Sequence, residues 1–335
     1  MSASIRISIV VIACLCVSRA AAAADVAPVP TPAAVALQAG TGSGTDVRET
    51  WSRTFKTGPQ GALELWNLAG DVTIVGGSGD AIQVEAVKRL HRGSDRAYLD
   101  RLEIQATESA GRVRIRTVFP DAKSVAAEVE FHVTVPAGTT VTVQTISGDI
   151  QVDKVTGDAE AESVSGDVTI TGARRLVRVK SVSGDVTVND AAGETLEANS
   201  VSGDVQLRGL KAKACSLQTV SGSVNAEGAA CERAEMRSVS GDVDYAGSLS
   251  PGGRYEFKSH SGDVRLSVGS GTGFSVTAST FSGSVSSQLQ LTNVTRNEQS
   301  RHGPRNERLQ GTFGDGSAQV MVTTFSGSVV LTGGK

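Results

Sequence analysis

Within the repeats six aspartates directly follow a Ser-Gly pair: Asp149, Asp167, Asp185, Asp204, Asp242 and Asp263, with Ser223, Ser284 and Ser328 in the same place in three further copies. Carboxylate and hydroxyl oxygens suit a hard cation, so a row of them could hold Ca²⁺ between successive copies. Carboxylates stacked about 5 Å apart also repel, and a bound cation would offset that repulsion. The competing role is local: an Asp at a tight corner accepts hydrogen bonds from corner N–H groups and is otherwise solvated. One carboxylate per copy is sparse for Ca²⁺, and the Gly-Gly-x-Gly-x-Asp density of calcium-binding repeats is missing from the sequence. The residues favour the structural role, and no metal ligands are assigned.

Other reactive groups do not assemble into a recognisable site. A β-helical polysaccharide lyase or hydrolase, the enzyme alternative, would need paired carboxylates or an Asp, Lys and Arg cluster in a groove. Arg174, Arg175, Arg178 and Lys180 form the one local basic cluster of the repeats, on outward positions where a solvated face explains them equally well. His91, His132, His260 and His302 are scattered, and His260 falls in an apolar column where packing is the simpler role. Serines are plentiful without a Gly-x-Ser-x-Gly elbow or a triad order. The sequence assigns no catalytic residue and no cofactor, and the expectation is a non-enzymatic protein.

The elements carrying these residues follow from the repeat itself. Nine times between Ile146 and Val329 the chain writes an apolar or aromatic residue (His260 once), Ser-Gly-Asp or Ser-Gly-Ser, and then Val or Ile. The glycines are Gly148, Gly166, Gly184, Gly203, Gly222, Gly241, Gly262, Gly283 and Gly327, the first eight separated by 18, 18, 19, 19, 19, 21 and 21 residues. A period near twenty with one turn signal per copy means one supersecondary unit stacked many times. Two positions after each glycine stands Val or Ile, and four after it come Val152, Ile170, Val188, Leu207, Ala226, Tyr245, Leu266, Ser287 and Leu331. Five before it come Val143, Ala161, Val179, Ala198, Leu217, Met236, Phe257, Ala278 and Val322. Two before it stand Ile146, Val164, Val182, Val201, Val220, Val239, His260, Phe281 and Phe325, expected to join the same core.

Alternation on both arms is the signature of strands with one buried face. Parity breaks at Ser-Gly, so the chain turns there, with glycine suited to the positive φ of a type II turn. The expected fold is all-β: a parallel β-solenoid of 18–21-residue coils, in which coils share a core that none could bury alone. A sandwich of antiparallel hairpins is the rival, disfavoured by the near-constant period.

Residues 1–24 read as a secretory signal peptide: Arg6 precedes an apolar run from Ile7 to Val17, and Ala20–Ala24 supplies a cleavage site. The run is too short for a stable membrane span. Val11-Ile12-Ala13-Cys14 also fits a lipoprotein box, making a lipid anchor at Cys14 the minor alternative. Loss of the leader moves the formal charge from −3 to −5, which gives no electrostatic footprint for nucleic acid. Aromatics are 4% of residues, so an aromatic sugar platform is poorly supported. The expected location is exported, periplasmic or extracellular at the cell surface. Of four cysteines, Cys215 and Cys231 remain, sixteen apart; they are either a bridge between neighbouring coils or two small buried residues.

Residues 25–46 form an Ala/Pro/Gly-rich linker, and 47–335 are expected to be one domain. Within it, 47–140 serve as an irregular β-rich cap, with a first corner at Ala69-Gly70-Asp71 and two helical turns expected near Ser94–Leu102. Residues 141–335 are the repeats, broken by a polar excursion near 293–309 that reads as a solvated insertion or a recognition loop.

From Trp51 to Leu331 the chain resembles the bacterial toast-rack putative-adhesin family of β-strand repeats. The resemblance rests on Leu65-Trp-Asn-Leu-Ala-Gly-Asp-Val-Thr-Ile74, on Val133-Thr-Val-Pro136 leading into Val143–Ile150, on the serial Ser-Val-Ser-Gly-Asp-Val copies, and on the ending Gly314–Leu331. It implies a β-solenoid at the cell envelope and supplies no catalytic residues. The function expected is an adhesin-like scaffold binding an envelope protein or glycan; an envelope-stress accessory or sensor module is the alternative.

Overall fold

The structure, a computed structural model, describes residues 47–121, 125–269, 271–299 and 306–334. The expected leader at 1–24, the expected linker at 25–46, Cys14 and residues 300–305 of the polar excursion lie outside them.

The first strands are β1 (Arg48–Lys56), β2 (Ala62–Ala69), β3 (Val72–Gly77) and β4 (Ala81–Leu90), followed by a short helix α1 (Ala97–Arg101). Next come β5 (Glu103–Ser109), β6 (Arg112–Val118) and β7 (Ala127–Pro136). The repeats begin with β8 (Thr140–Ser147), β9 (Ile150–Asp153), β10 (Ala159–Ser165), β11 (Val168–Thr171), β12 (Val177–Ser183) and β13 (Val186–Asn189). They continue with β14 (Ala192–Asn199), β15 (Val205–Arg208), β16 (Lys211–Ser221), β17 (Val224–Ser240), β18 (Val243–Ser261) and β19 (Val264–Val268). The chain ends with β20 (Phe274–Ser282), β21 (Val285–Ser287), β22 (Thr292–Gln299), β23 (Asn306–Phe313), β24 (Ala318–Ser326) and β25 (Val329–Gly333).

Successive coils pair in parallel and in register, as the constant period requires. Ala161 lies beside Val143 and Val179 on the arm before the corner, and Val168 beside Ile150 and Val186 on the arm after it. The residues two and four after each glycine are buried, apart from half-buried Ser287, as are those five before it. Alternating Val, Ile and Leu of adjacent coils thus form one continuous core. The fold is the expected parallel β-solenoid. The coil from Gly241 to Gly262 is longer because Ser250–Gly253 bulge out, Cys231 pairing with Leu249 but Arg233 with Arg254.

Three expectations about the repeats are corrected. The column two before the glycine faces outward: Ile146, Val164, Val182, Val201, Val220, Val239, Phe281 and Phe325 are 42–52% exposed, and His260 is exposed with them. The inward place is taken by the residue three before, Thr145, Ser163, Ser181, Ser200, Thr219, Ser238, Ser259, Thr280 and Thr324, all buried. In every copy except that of Thr145 its hydroxyl bonds a glycine carbonyl. Ser181 donates to the Gly166 carbonyl, Ser200 to Gly184 and Thr219 to Gly203, at 3.2, 3.1 and 2.9 Å. An apolar side chain would leave those carbonyls buried without that partner.

The second correction concerns the turn. Repeat-glycine φ values run from +138° to +159°, well beyond the roughly +80° of a type II turn. A Cβ on Gly184 would lie 2.2 Å from the Gly166 carbonyl oxygen of the coil before it. Glycine is required both by its φ and by this approach.

The third concerns the polar excursion, whose described residues lie in strands. β22 and β23 pair antiparallel, and β23 continues onto β20. The last coil in sequence then inserts between two earlier ones: β24 pairs with both β18 and β20, and β25 with both β19 and β21.

At the other end β6 joins β2 and β7 joins β3 in parallel, and antiparallel β5, β4 and β1 finish the two arms. Antiparallel strands thus close both arms at this end and the β20 arm at the other, so those arms offer no parallel edge to another coil. The helix is shorter than the two turns expected, spanning five residues, with the Asp95 carboxylate accepting from the Ala97 N–H at 3.0 Å.

Candidate functional site

The corner aspartates form one hydrogen-bonded ladder along the stack. Each Oδ1 accepts from the backbone N–H one coil on: Asp71 from Asp149, Asp149 from Asp167, Asp167 from Asp185, and Asp185 from Asp204, at 2.8–2.9 Å. Asp204 accepts from the Ser223 N–H, Asp242 from Asp263, and Asp263 from Ser328, at 2.7, 2.9 and 2.8 Å. Hydroxyls continue the pattern where Ser replaces Asp: Ser223 Oγ lies 3.4 Å from the Asp242 nitrogen, and Ser284 bonds Ser328 at 3.2 Å. One oxygen of each carboxylate is therefore committed to backbone. Backbone N–H dipoles offset the repulsion that stacked charges would otherwise feel.

Arg265 adds to this where the acids are densest. Its guanidinium lies 2.9 Å from Asp242, 3.3 Å from Asp244 and 3.1 Å from Asp263, and the Asp242 bond foremost pushes its pKa up. Among the described residues no group of three or more His, Cys, Asp or Glu is placed to hold a metal ion.

The basic cluster is dispersed into cross-coil ion pairs. Arg178 bridges Glu160 and Glu197 at 3.2 and 3.1 Å, which raises its pKa. Lys180 meets Glu162 at 3.2 Å and Arg175 meets Asp158 at 3.4 Å, while Arg174 is exposed. His91 lies 4.0 Å from Glu128, His132 is exposed, and His302 is outside the described residues. His260 is not packed inside; it stacks on Phe325 at 4.9 Å, and Phe325 on Phe281 at 4.7 Å, on the surface.

Cys215 and Cys231 are disulfide-bonded, with Cα atoms 6.4 Å apart. The bridge joins neighbouring coils, because Cys215 pairs in register with Ala234, three residues beyond Cys231. Tyr255 donates to the Cys231 carbonyl and accepts from the Ser250 N–H.

The columns facing outward remain available for binding. On the arm after the corner stand Gln151, Thr169, Thr187, Gln206 and Asn225, an uncharged amide and hydroxyl row at consecutive coils. No side-chain hydrogen bond among the described residues engages them. On the arm before the corner lies the apolar column from Ile146 to Phe281. Sequence reading placed it inside, yet a signal for its true position was present: the residues two and five before the glycine are an odd number apart, so a regular strand cannot point both inward.

Stacked parallel coils, with corner residues engaged in holding one coil to the next, define a repeat scaffold of the β-solenoid class. The chain belongs to the Toastrack family (Toastrack DUF4097), whose model matches residues 62–332. Two solved structures are similar at low identity. One is a putative cell adhesion protein from Clostridium sporogenes, 10% identical, covering 86% of this chain and 100% of that one with a TM-score of 0.22. The other is a putative adhesin from Parabacteroides merdae, 11% identical, covering 66% and 92% with a TM-score of 0.27. A comparison with curated proteins finds no match. No helix among the described residues is long and apolar enough to cross a membrane.

Proposed function

We propose that this protein is an exported, non-enzymatic cell-envelope scaffold, adhesin-like in that its outer solenoid face binds a protein or glycan partner. The observation that carries the reading is the division of labour within each coil. Corner Asp and Gly, with the buried Ser or Thr three before the glycine, hold the stack together, whereas Gln151, Thr169, Thr187, Gln206 and Asn225 face outward with their polar groups unengaged. Amides and hydroxyls repeating about every 4.8 Å suit a ligand rich in hydrogen-bonding groups, such as an extended peptide or a glycan chain. Export is supported by the leader at 1–24 and by the Cys215–Cys231 disulfide, which persists in an oxidising compartment. In this reading 25–46 tether one domain spanning 47–335.

The test is affinity capture from the envelope fraction and a glycan array, using the mature chain and a Gln151→Ala, Gln206→Ala, Asn225→Ala variant. Expected is a captured partner that the variant loses while its circular dichroism and Tm stay unchanged. Equal capture by both proteins would refute the assignment of this row. Mass spectrometry of the secreted N-terminus checks the cleavage site and separates a free chain from one lipidated at Cys14.

A further inference from the structure

We propose that two copies of this chain pair side by side, solenoid axes parallel, through the exposed apolar column that runs from Ile146 to Phe281. The inference is independent of the partner-binding row, which lies on the other arm. The column follows the spatial order of the coils: six aliphatic rungs from Ile146 to Val239, then His260, Phe325 and Phe281. Each rung stands on the outer face, so the core does not require it to be apolar; other outward positions of the same strands carry Glu160, Arg178, Glu197 and Lys180.

Nine rungs at the strand spacing make a straight ridge about 40 Å long. Its exposed apolar surface is several hundred Å², near the upper end for a monomer and close to the roughly 800 Å² each partner contributes to a stable interface. A ridge with a fixed strand-spacing repeat is matched rung for rung by a surface with the same repeat. A second copy of the same column has it, and identical aliphatic ladders interdigitate in this way when sheets pack face to face.

Charge selects the orientation. On the corner side the ridge is bordered by the serines and the Asp ladder. On the other side lies the column four before the glycine, with Lys180, Arg237 and Lys258 and one acid, Glu162; these cations also pair within the chain, with Glu162, Glu235 and Glu256, and keep side-chain exposure of 40–46% toward the ridge's surroundings. A two-fold axis along the stack sets the Asp column of one copy against the Lys and Arg column of the other. An antiparallel pair would instead oppose Asp to Asp, which is unfavourable. The three stacked rings would then lie against their counterparts at one end of the pair, fixing the register.

The experiment is sedimentation equilibrium of the mature full-length chain at micromolar concentrations, alongside Val182→Lys/Val220→Lys. Both positions are exposed, so an unchanged Tm checks that the variant folds. Expected is a dimer for the parent and weakening by about a hundredfold or more in the variant, as for two central interface positions. Val164→Cys, off-centre in the column, is expected to form a disulfide with its own counterpart only in the parallel pair. A monomeric parent at about 100 µM, or a dimer unaffected by the two lysines, would overturn the pairing, since such a Kd is far weaker than a standard interface gives. A dimer in which Val164→Cys does not self-link would overturn the parallel arrangement.

Discussion

In the Ser-Gly-Asp corner the glycine and the aspartate each have their own duty. Gly184→Ala places a methyl carbon 2.2 Å from the Gly166 carbonyl at a φ of +151°, and the expected cost is about 3 kcal/mol or more, read as a lower urea midpoint. Asp185→Ala removes the acceptor of the Asp204 N–H and should cost about 1 kcal/mol. Asp185→Asn keeps an acceptor oxygen and removes one charge from the column, so it should stay within about 0.5 kcal/mol of the parent. Adding EDTA should move none of these urea midpoints; a clear fall in the parent's midpoint would instead show a cation in the ladder. Burial, and secondly Tyr255, push the Tyr245 phenol up, and it donates to the Ser248 carbonyl at 2.9 Å. The fold therefore holds the neutral phenol. Its contribution is complete below the unfolded phenol's pKa of roughly 10 and is lost as pH rises above that. Tyr245→Phe should flatten the alkaline loss of stability, measured by urea unfolding at a series of pH values.

At the scale of elements, the two arms and the corner were legible because period-two patterning and glycine chemistry are local. The column three before the glycine was harder to read, since Ser163 and Thr219 look like surface residues until their bonds to the Gly148 and Gly203 carbonyls are seen. The fate of 293–309 was not legible. Polar composition suggests solvent, but its described residues close a sheet end. The Glu307 carboxylate accepts from the Val285 N–H at 3.0 Å, where other coils supply a backbone carbonyl, and Arg296 donates to the Val285 carbonyl at 3.2 Å. Glu307 is buried and also meets Arg296 at 3.4 Å. Glu307→Ala leaves a buried N–H and a guanidinium without this partner, so a loss of about 2 kcal/mol is expected. Native-state hydrogen exchange should show the loss concentrated in β20, β21 and β25.

For the whole molecule, the period foretold a stack but not its order. Strand pattern specifies which residues face inward; it does not specify which coil lies beside which. The final coil enters between two others because β23 runs antiparallel along β20 and occupies its outer edge, leaving the β18 side for β24. The resulting column continues without a break, the Gly327 N–H donating to Ser282 and the Gly262 N–H to Ser326. The same continuity explains why a motif repeated nine times is scaffold rather than site: every copy acts on its neighbour in the next coil. The most direct measurement is amide hydrogen exchange by NMR at the corners of the full chain, parent against Asp185→Ala. The expected result is slow exchange at Asp167, Asp185 and Asp204 in the parent, with protection lost in the variant chiefly at Asp204, one coil onward. Fast exchange at these amides in the parent, or an Asp204 amide indifferent to the substitution, would contradict the ladder.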